Sequence, residues 1–449
     1  MKNIIFTLSL VLILVFTSVT AFAQTTGEIT VAIDSVKVEF TEDSGFPFID
    51  ENSRTLVPFK KTLETYGATV EWNNESRVAT ALKGDIKVEV PIDQNYIIVN
   101  GEQKTIDTAA RLVNDRTFLP IKAVIEAFGS EVVWDNNLRT VVITTTPVDA
   151  KAIFTQANNK SYDWKNYDAD VLMNVSMPVK DDAGSVQTMN MNIKMFMTIF
   201  MEPSLKAKIN ADLLMNSMGQ EVTIPVMDMY MTSDDTSLTQ YMGMNDGAGN
   251  TTWTKSTIVN EMFGELLKFN KETIEENKEL TEKYIKDVKY FGKYTDESGK
   301  TLLRMSYTMS GDIYKDIFSQ YIEETSTSTD EQIQMMSEMF KGLANGEFGD
   351  LSCIIYIDEA TGELVKYEMD LSNMITSMIS GVTDLMEDIP AEEMEMLKQM
   401  KATMSMEVLN INQAEDFEIP EEALNAPEIT EMMKQLEETT QENSENNIE

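Results

Sequence analysis

An internal repeat restricts what this chain folds into more than any other feature of its sequence. Residues 54–73 read RTLVPFKKTLETYGATVEWN and residues 116–135 read RTFLPIKAVIEAFGSEVVWD, with an offset of 62 residues and no gap. Eight of the twenty paired positions are identical, and most of the others exchange similar side chains, such as Tyr66 and Phe128. Two copies of one segment predict two copies of one supersecondary unit that share a core.

Each copy has the pattern of a loop, a short helix and a strand. Pro58 and Pro120 suit the first turn of a helix, because proline lacks the N–H group that this turn leaves unpaired. Gly67 and Gly129 lie where a left-handed C-cap ends a helix, and the strand that follows places its valine and its tryptophan on one face. The apolar residues that recur at helical spacing are Phe59, Leu63 and Tyr66 in the first copy and Ile121, Ile125 and Phe128 in the second.

These residues resemble the copper amine oxidase-like N-terminal domain, a repeat-built module common on secreted proteins of Gram-positive bacteria. The signature R-T-x-V/L-P-x-K…E-x-x-G-x-x-V-x-W is present in both copies, and the resemblance covers about residues 30–146. We expect an α+β domain over residues 28–146, with a small curved sheet wrapped on two short helices. The resemblance implies no reaction, because the copper site of an amine oxidase uses histidine and lies outside this module, and this chain has no histidine.

Hydropathy and charge divide the rest of the chain, which has 449 residues. Residues 1–23 open with a lysine-containing end, continue through an apolar run and close on Ala-Phe-Ala, which predicts a signal peptide and a secreted, extracellular protein. An uncleaved membrane anchor is the alternative, because the apolar run approaches spanning length. The predicted divisions after the repeat domain are a linker at 147–168, a sheet domain at 169–420 and an acidic, disordered tail at 421–449.

The predicted sheet domain begins with a long series of period-two segments. Apolar and polar residues alternate through residues 171–179, 189–197, 205–213 and 222–231, with a change of register near Pro225. Such alternation predicts an antiparallel meander with one dry and one wet face. Helices that cover the dry face are predicted at 258–288, 311–323, 331–343 and 374–400. Further strands are predicted at 302–309, 351–357, 364–369 and 403–411.

This arrangement resembles the bacterial lipoprotein-carrier fold, a curved antiparallel half-barrel whose apolar hollow is covered by helices. The resembling details are the M-x-M strands, the SMGQ hairpin at Ser217–Gln220, an aromatic strand ending in Trp253, the hairpin at 356–371, the segment Phe417–Pro420 and Ala423. The chain lacks the lipidated cysteine of the carriers and has longer helical segments. The resemblance therefore implies a fold, and it implies lipid shuttling less directly.

Methionine is the most unusual component of this sheet, with 32 residues in the chain. Methionine adapts to irregular apolar surfaces, so these side chains are predicted to line a site for an apolar or amphiphilic ligand. A filled Met-rich core is the second interpretation. Copper(I) binding is the third, since thioethers suit that ion, although the spread of methionines over several strands favours burial. The candidate lining residues are Met173, Met177, Met189, Met191, Met195, Met197, Met227 and Met229.

Composition excludes several classes of function. A net charge of −39 repels nucleic acid and anionic membranes. Zinc sites and histidine-based catalysis are excluded because the chain has no histidine and one cysteine. Cys353 lies in the apolar run LSCIIYI and is predicted as a core residue. We expect no enzymatic activity and no cofactor.

Three smaller patterns have alternative interpretations. Acidic turns at 181–182, 296–299 and 358–362 lack the ligand spacing of a calcium loop, so hairpin turns are predicted. Glu64 and Glu126 are predicted to lie on helix surfaces and not to form a carboxylate pair as in glycosidases. The tryptophans of the two copies, Trp72 and Trp134, are predicted to pack at strand ends, and stacking on sugar rings is the alternative.

Together these observations predict a secreted, non-enzymatic protein of the cell envelope. Its repeat domain is expected to be structural or adhesive, and its sheet domain is expected to bind an apolar or amphiphilic molecule. The expected partners are a hydrophobic small molecule or lipid and a cell-wall component, with no nucleic acid among them. A purely structural surface protein with a filled Met-rich core is the alternative, and a copper(I)-binding protein is the third.

Overall fold

The computed structural model describes residues 28–180, 185–217, 220–234, 237–247, 249–259, 271–325, 331–344, 346, 348–381 and 390–429. The predicted signal peptide at 1–23 lies outside these residues, as do the turn at 181–182 and positions 430–449 of the predicted tail. Within the described ranges, no helix combines the length and the apolar character that crossing a membrane requires.

The repeat region, residues 28–146, is built from short strands and two short helices. Its elements are β1 (Thr30–Ile33), β2 (Val36–Lys37), β3 (Phe48–Ile49), β4 (Thr55–Pro58), α1 (Phe59–Thr65), β5 (Thr69–Asn73), β6 (Val78–Lys83), β7 (Ile86–Pro91), β8 (Tyr96–Val99), β9 (Glu102–Thr105), β10 (Arg111–Val113), β11 (Arg116–Pro120), α2 (Ile121–Ala127), β12 (Glu131–Asp135) and β13 (Thr140–Thr144). They form three sheets, in the orders β12-β13-β1-β2, β10-β11-β4-β3 and β5-β6-β7-β8-β9. The expectation of one curved sheet is therefore wrong, because the equivalent strands β4 and β11 pair with each other while the hairpin after each helix joins a sheet of its own.

The local physics of the repeat unit agrees with the sequence. Both helices begin directly after a proline, and Gly67 and Gly129 follow their C-caps with φ values of 89° and 83°. The N–H groups of these glycines donate to the carbonyl oxygens of Glu64 and Glu126, each at 3.0 Å. The predicted apolar stripe of each helix lies in a common core. Each unit differs in two respects. A strand precedes its helix where a loop was predicted, and its proline is the N-cap residue before the helix and not part of the first turn.

One antiparallel sheet of eleven strands dominates the rest of the molecule and curls as a half-barrel. Its order is β19-β18-β17-β16-β15-β14-β24-β23-β22-β21-β20. The strands are β14 (Asn166–Lys180), β15 (Val186–Phe200), β16 (Lys206–Ser217), β17 (Gln220–Ser233), β18 (Ser237–Asn245), β19 (Thr251–Val259), β20 (Ile285–Thr295), β21 (Thr301–Met309), β22 (Leu351–Asp358), β23 (Leu364–Asp370) and β24 (Lys401–Leu409). The predicted α+β character and the predicted half-barrel are both present.

Seven helices of the described residues accompany this sheet. They are α3 (Ala150–Ser161), α4 (Lys271–Tyr284), α5 (Asp312–Thr325), α6 (Glu331–Ala344), α7 (Ser372–Gly381), α8 (Ala391–Leu397) and α9 (Glu421–Leu424). Helices α3, α5, α6 and α7 contribute buried side chains to the same core as the concave face of the sheet, including Phe154, Phe318 and Phe340. Helices α5, α6 and α7 therefore cover the dry side, as predicted, and α3 also covers it, where a linker was predicted. Helix α3 occupies most of the predicted linker, and its Phe154 contacts Tyr307 of β21 with ring centroids 4.9 Å apart.

The strand register explains why one face is apolar. Val171 of β14 lies opposite Met195 of β15 and Met406 of β24. Met197 lies opposite Ile209 of β16, and Ile209 lies opposite Met229 of β17. Each such row runs across several strands on the concave face, since cross-strand partners share a face. The predicted change of register also occurs, because Ala211 and Asp212 pair with Met227 and Pro225 and leave Val226 as the extra residue of a bulge.

The convex face is covered at two places, so the prediction of a wholly wet face is wrong. Near β17–β19, Phe417, Ile419 and Ala423 pack on aromatic side chains that include Tyr230 and Tyr241. Residues 421–429 were predicted to be disordered, and the structure instead packs them here. At the opposite edge of the sheet, the repeat region contacts β20 and β21.

The predicted helix at 258–288 is wrong at both ends. Its first two residues belong to β19, and its last residues belong to β20, while positions 260–270 lie outside the described residues. Strand β20 lacks strict alternation because it contains two register shifts, next to Asp287 and Gly292, both of which have positive φ. Trp253 lies near the start of its strand, β19, whereas the sequence analysis predicts it at the end of a strand.

Candidate functional site

The eight candidate methionines all lie on the concave face, but they differ in depth. Met195, Met197 and Met229 are buried in the core formed with the covering helices. Met173, Met191 and Met227 are partly buried against that core. Met177 is half-buried, and Met189 directly opposite it is exposed. The structure therefore separates the predicted lining into an inner part, which is filled by side chains, and an outer part, which is reachable.

Four apolar side chains of the concave face are exposed near the same end of the sheet, and we call them the apolar rim. Their exposed fractions are 38 % for Met189, 48 % for Met215, 42 % for Val222 and 52 % for Met244. Met215 pairs with Val222, and Met244 pairs with Met227. This end of the sheet holds the β14–β15, β16–β17 and β18–β19 hairpin connections. Met215, Val222 and Met244 were not among the predicted lining residues, although the predicted alternation at 222–231 contains Val222.

The concave face and the covering helices share one core of buried apolar side chains. Cys353 is buried there, as predicted, and burial raises the pKa of its thiol to about 12. Burial also raises the pKa of Tyr167 to about 12 and places the pKa of Tyr307 well above its ordinary value. Groups held neutral in this way do not offer a nucleophile near neutral pH.

A second candidate site is a cleft of about 790 Å³ in the repeat region, which we call the Trp72 cleft. Trp72 lies near the end of β5, but 42 % of it is exposed there, so the predicted strand-end packing does not bury it. Its repeat counterpart, Trp134, packs against the core as predicted. The other lining residues are Thr41, Asp43, Ser44, Pro58, Phe59, Lys60, Lys61, Glu64, Val70, Glu71, Asn74, Arg77, Ala79, Leu112, Asp115, Arg116 and Thr117.

Comparison with known families agrees with the geometry of the repeat region. Residues 32–143 match the copper amine oxidase N-terminal domain family. The resemblance carried by the two repeat copies is therefore confirmed. Residues 149–343, which include α3 and the strands from β14 to β21, match a family of unknown function.

A curated relative gives a weaker match. A protein of Brevibacillus choshinensis named "Protease inhibitor" is 27 % identical over 139 residues, which make up 29 % of this chain and 43 % of the relative. The chain thus spans less than half the length of the curated relative it matches.

Glu64 and Glu126 of the copper amine oxidase-like domain, the residues of the alternative carboxylate pair, lie at the surface. Glu64 lies 3.9 Å from Lys60, and Glu126 lies 3.7 Å from Lys122, in exposed pairs one helical turn apart. Both glutamates therefore belong to helix surfaces, as predicted.

The acidic turns of the large sheet are hairpin turns in the described ranges. Asp296 accepts a hydrogen bond from the Lys300 N–H at 2.9 Å, and Asp358 accepts one from the Ala360 N–H at 2.8 Å. These carboxylates stabilise their own turns. Across the residues that the structure describes, no group of three or more acidic, histidine or cysteine side chains is arranged to hold a metal ion.

Proposed function

We propose that this chain is a non-enzymatic protein of the cell envelope whose half-barrel binds an apolar or amphiphilic molecule at the apolar rim. The observation that supports the proposal most directly is the exposure of Met189, Met215, Val222 and Met244 on the face that is otherwise dry. The four residues lie on neighbouring strands, β15 to β18, and exposed apolar side chains grouped in this way are typical of interaction sites.

The rim continues into a surface that suits a flexible apolar chain. Met177, Met191 and Met227 are partly buried beside it. Cross-strand pairing joins Met177 to Met189 and Met227 to Met244. Methionine has three rotatable bonds and a polarisable sulfur, so such a surface adapts to ligands of different shapes.

The inner core sets the depth of the proposed site. Met195, Met229 and Met305 are almost fully buried under side chains of the covering helices. A ligand therefore lies across the outer part of the concave face and does not replace the core. This arrangement combines the two interpretations of the methionines, since the inner methionines fill a core and the outer methionines bind.

A matched pair of variants tests the proposal. Met215→Glu and Met244→Glu place charges on the rim, and Leu172→Glu is the control, because Leu172 is a similarly exposed residue on the opposite face. A fluorescent fatty acid is titrated into the wild type and each variant. We expect both rim variants to weaken binding at least tenfold, which corresponds to about 1.4 kcal/mol, because a carboxylate resists burial against an alkyl chain. Absence of wild-type binding, or equal loss in the control, would contradict the proposal.

The predicted secretion completes the proposal. The apolar run at 1–23 supports export, and a copper amine oxidase-like domain supports a structural or adhesive role at the envelope. Fractionation of the producing cells tests the location. We expect the protein in the medium or on the cell surface, and recovery from the cytoplasm alone would reject this part.

A further inference from the structure

We propose that the Trp72 cleft binds a carbohydrate chain. The site is separate from the apolar rim, so the proposal does not depend on amphiphile binding. The cleft lies between the start of α1, the β5–β6 hairpin, the β10–β11 hairpin and the loop that contains Thr41 and Ser44. Every residue that lines it belongs to the copper amine oxidase-like domain.

The two repeat copies differ in the exposure of their tryptophans, Trp72 and Trp134. Trp134 contributes to the core of the domain, and its ring N–H donates to Asn136 at 3.4 Å. Trp72 occupies the equivalent position, yet 42 % of its surface is exposed in a cleft. An exposed indole offers a flat apolar face of the kind that enriches tryptophan in binding sites. A sugar ring presents a matching face of C–H groups.

The side chains around the Trp72 indole can form hydrogen bonds with the hydroxyl and amide groups of a carbohydrate chain. Thr41, Ser44 and Thr117 contribute hydroxyls, which both donate and accept hydrogen bonds. Lys61, Glu71 and Asp115 contribute donors and acceptors, and among the described residues their side chains form no ion pair or hydrogen bond.

The charge and size of the cleft narrow the ligand class. The lining contains four cationic and four anionic side chains, so it is locally balanced in a chain with a net charge of −39. Such a balance does not select a polyanion or a polycation, and it supplies both hydrogen-bonding polarities to a polyhydroxylated chain. The volume of about 790 Å³ lies within the range of small-molecule sites, and the cleft has room for a short run of sugar units.

The test uses the full chain and two probes, a tetramer of N-acetylglucosamine and the soluble glycan strands of a Gram-positive cell wall. Binding is followed by isothermal titration calorimetry. We expect saturable binding of at least one probe, and a loss of tenfold or more in Trp72→Ala, because the stacking face is removed. Trp72→Phe should retain part of the affinity, since a smaller aromatic face remains.

Tyr294→Ala is the matched control. Tyr294 is also an exposed aromatic, at 46 %, but it lies on β20 outside the cleft. We expect Tyr294→Ala to bind the glycan as the wild type does. Trp72→Ala and Tyr294→Ala should both melt within a few degrees of the wild type. No binding of either probe would overturn the proposal, as would wild-type affinity in Trp72→Ala. The rim variant Met215→Glu should bind the glycan normally, which separates this result from the amphiphile test.

Discussion

Arg304 and Asp135 form an ion pair in which both side chains are almost completely buried. Arg304 lies on the convex face of β21, and Asp135 ends β12 of the repeat region, so the pair joins the two parts of the molecule. Arg304 Nε also donates to the Tyr356 hydroxyl at 3.2 Å. In the other repeat copy Asn73 takes the position of Asp135 and lies exposed, so only the second copy brings a carboxylate to this contact.

Removal of one partner of the Arg304–Asp135 pair should destabilise the protein. Arg304→Met leaves the Asp135 carboxylate buried without a counter-charge, and we expect a loss of about 3–5 kcal/mol in the free energy of unfolding. The double variant Arg304→Met/Asp135→Leu should lose clearly less than the sum of the two single variants. Urea unfolding of all four proteins measures the coupling, and strictly additive losses would show that the pair does not act as a unit.

Because tyrosine hydroxyl and cysteine thiol groups are buried, we predict that the free energy of unfolding decreases at alkaline pH. The pKa values of Tyr167 and Cys353 are raised to about 12 in the folded protein, from 10.0 and 9.0. The unfolded chain therefore loses these protons at lower pH than the folded chain does. The contribution of Cys353 is complete below pH 9 and that of Tyr167 below pH 10, and above that pH each decreases by about 1.4 kcal/mol per pH unit as the pH rises towards 12.

Urea unfolding at a series of pH values from 8 to 11 measures this dependence. We expect Tyr167→Phe to reduce the alkaline slope, because its ring has no proton to lose. An identical slope in the wild type and Tyr167→Phe would contradict the assignment.

At the scale of elements, two covering helices depend on a close approach of backbone to backbone. A Cβ atom added at Gly342 of α6 would lie 2.2 Å from the Gly381 carbonyl oxygen of α7. We expect Gly342→Ala to destabilise the protein by about 1–3 kcal/mol, since overpacking forces the helices apart. Gly349→Ala is the control, because the nearest atom to its new Cβ would be 3.9 Å away. Thermal unfolding compares them, and equal melting temperatures would reject the close contact.

The elements also show how far the sequence was informative. Local patterns predicted the repeat helices, their glycine caps and the concave faces of β14 to β17, because periodicity and turn chemistry act within a few residues. Strand β20 was missed because the bulges near Asp287 and Gly292 break its alternation. Gly292 has φ 92°, and a Cβ there would lie 2.6 Å from Ser35 Oγ in the repeat region. That constraint comes from a residue more than 250 positions away, which no local pattern reveals.

The sequence likewise predicted only part of each candidate site. Alternation predicted which methionines share the concave face, but it did not show which of them the helices cover. Exposure of Trp72 was missed because both repeat copies carry the same motif, and only the packing of the whole domain distinguishes them.

At the scale of the whole molecule, both edge strands of the large sheet have a neighbour. Ser35 Oγ of the repeat region accepts a hydrogen bond from the Lys293 N–H of β20 at 2.6 Å. At the other edge, the Lys255 N–H of β19 donates to the Pro427 carbonyl oxygen at 2.9 Å. Covered edges limit pairing with other chains.

Two truncations test the role of the C-terminal segment. Removal of residues 417–449 uncovers Tyr230, Tyr241 and the edge of β19, and we expect oligomers or aggregates in light scattering. Removal of residues 430–449 alone leaves each of these contacts in place, and this shorter truncation should match the full chain. Equal behaviour of the two truncated proteins would show that the segment does not protect the sheet.

The central claim is that the outer part of the concave face holds an apolar or amphiphilic molecule. Native mass spectrometry of the protein purified from its producing cells tests this claim most directly. We predict a bound species whose mass, after solvent extraction, is that of an amphiphile, and which is absent from Met215→Glu but present in Leu172→Glu. A wild-type spectrum that shows only the mass of the bare chain, together with no uptake of added fatty acid, would contradict it.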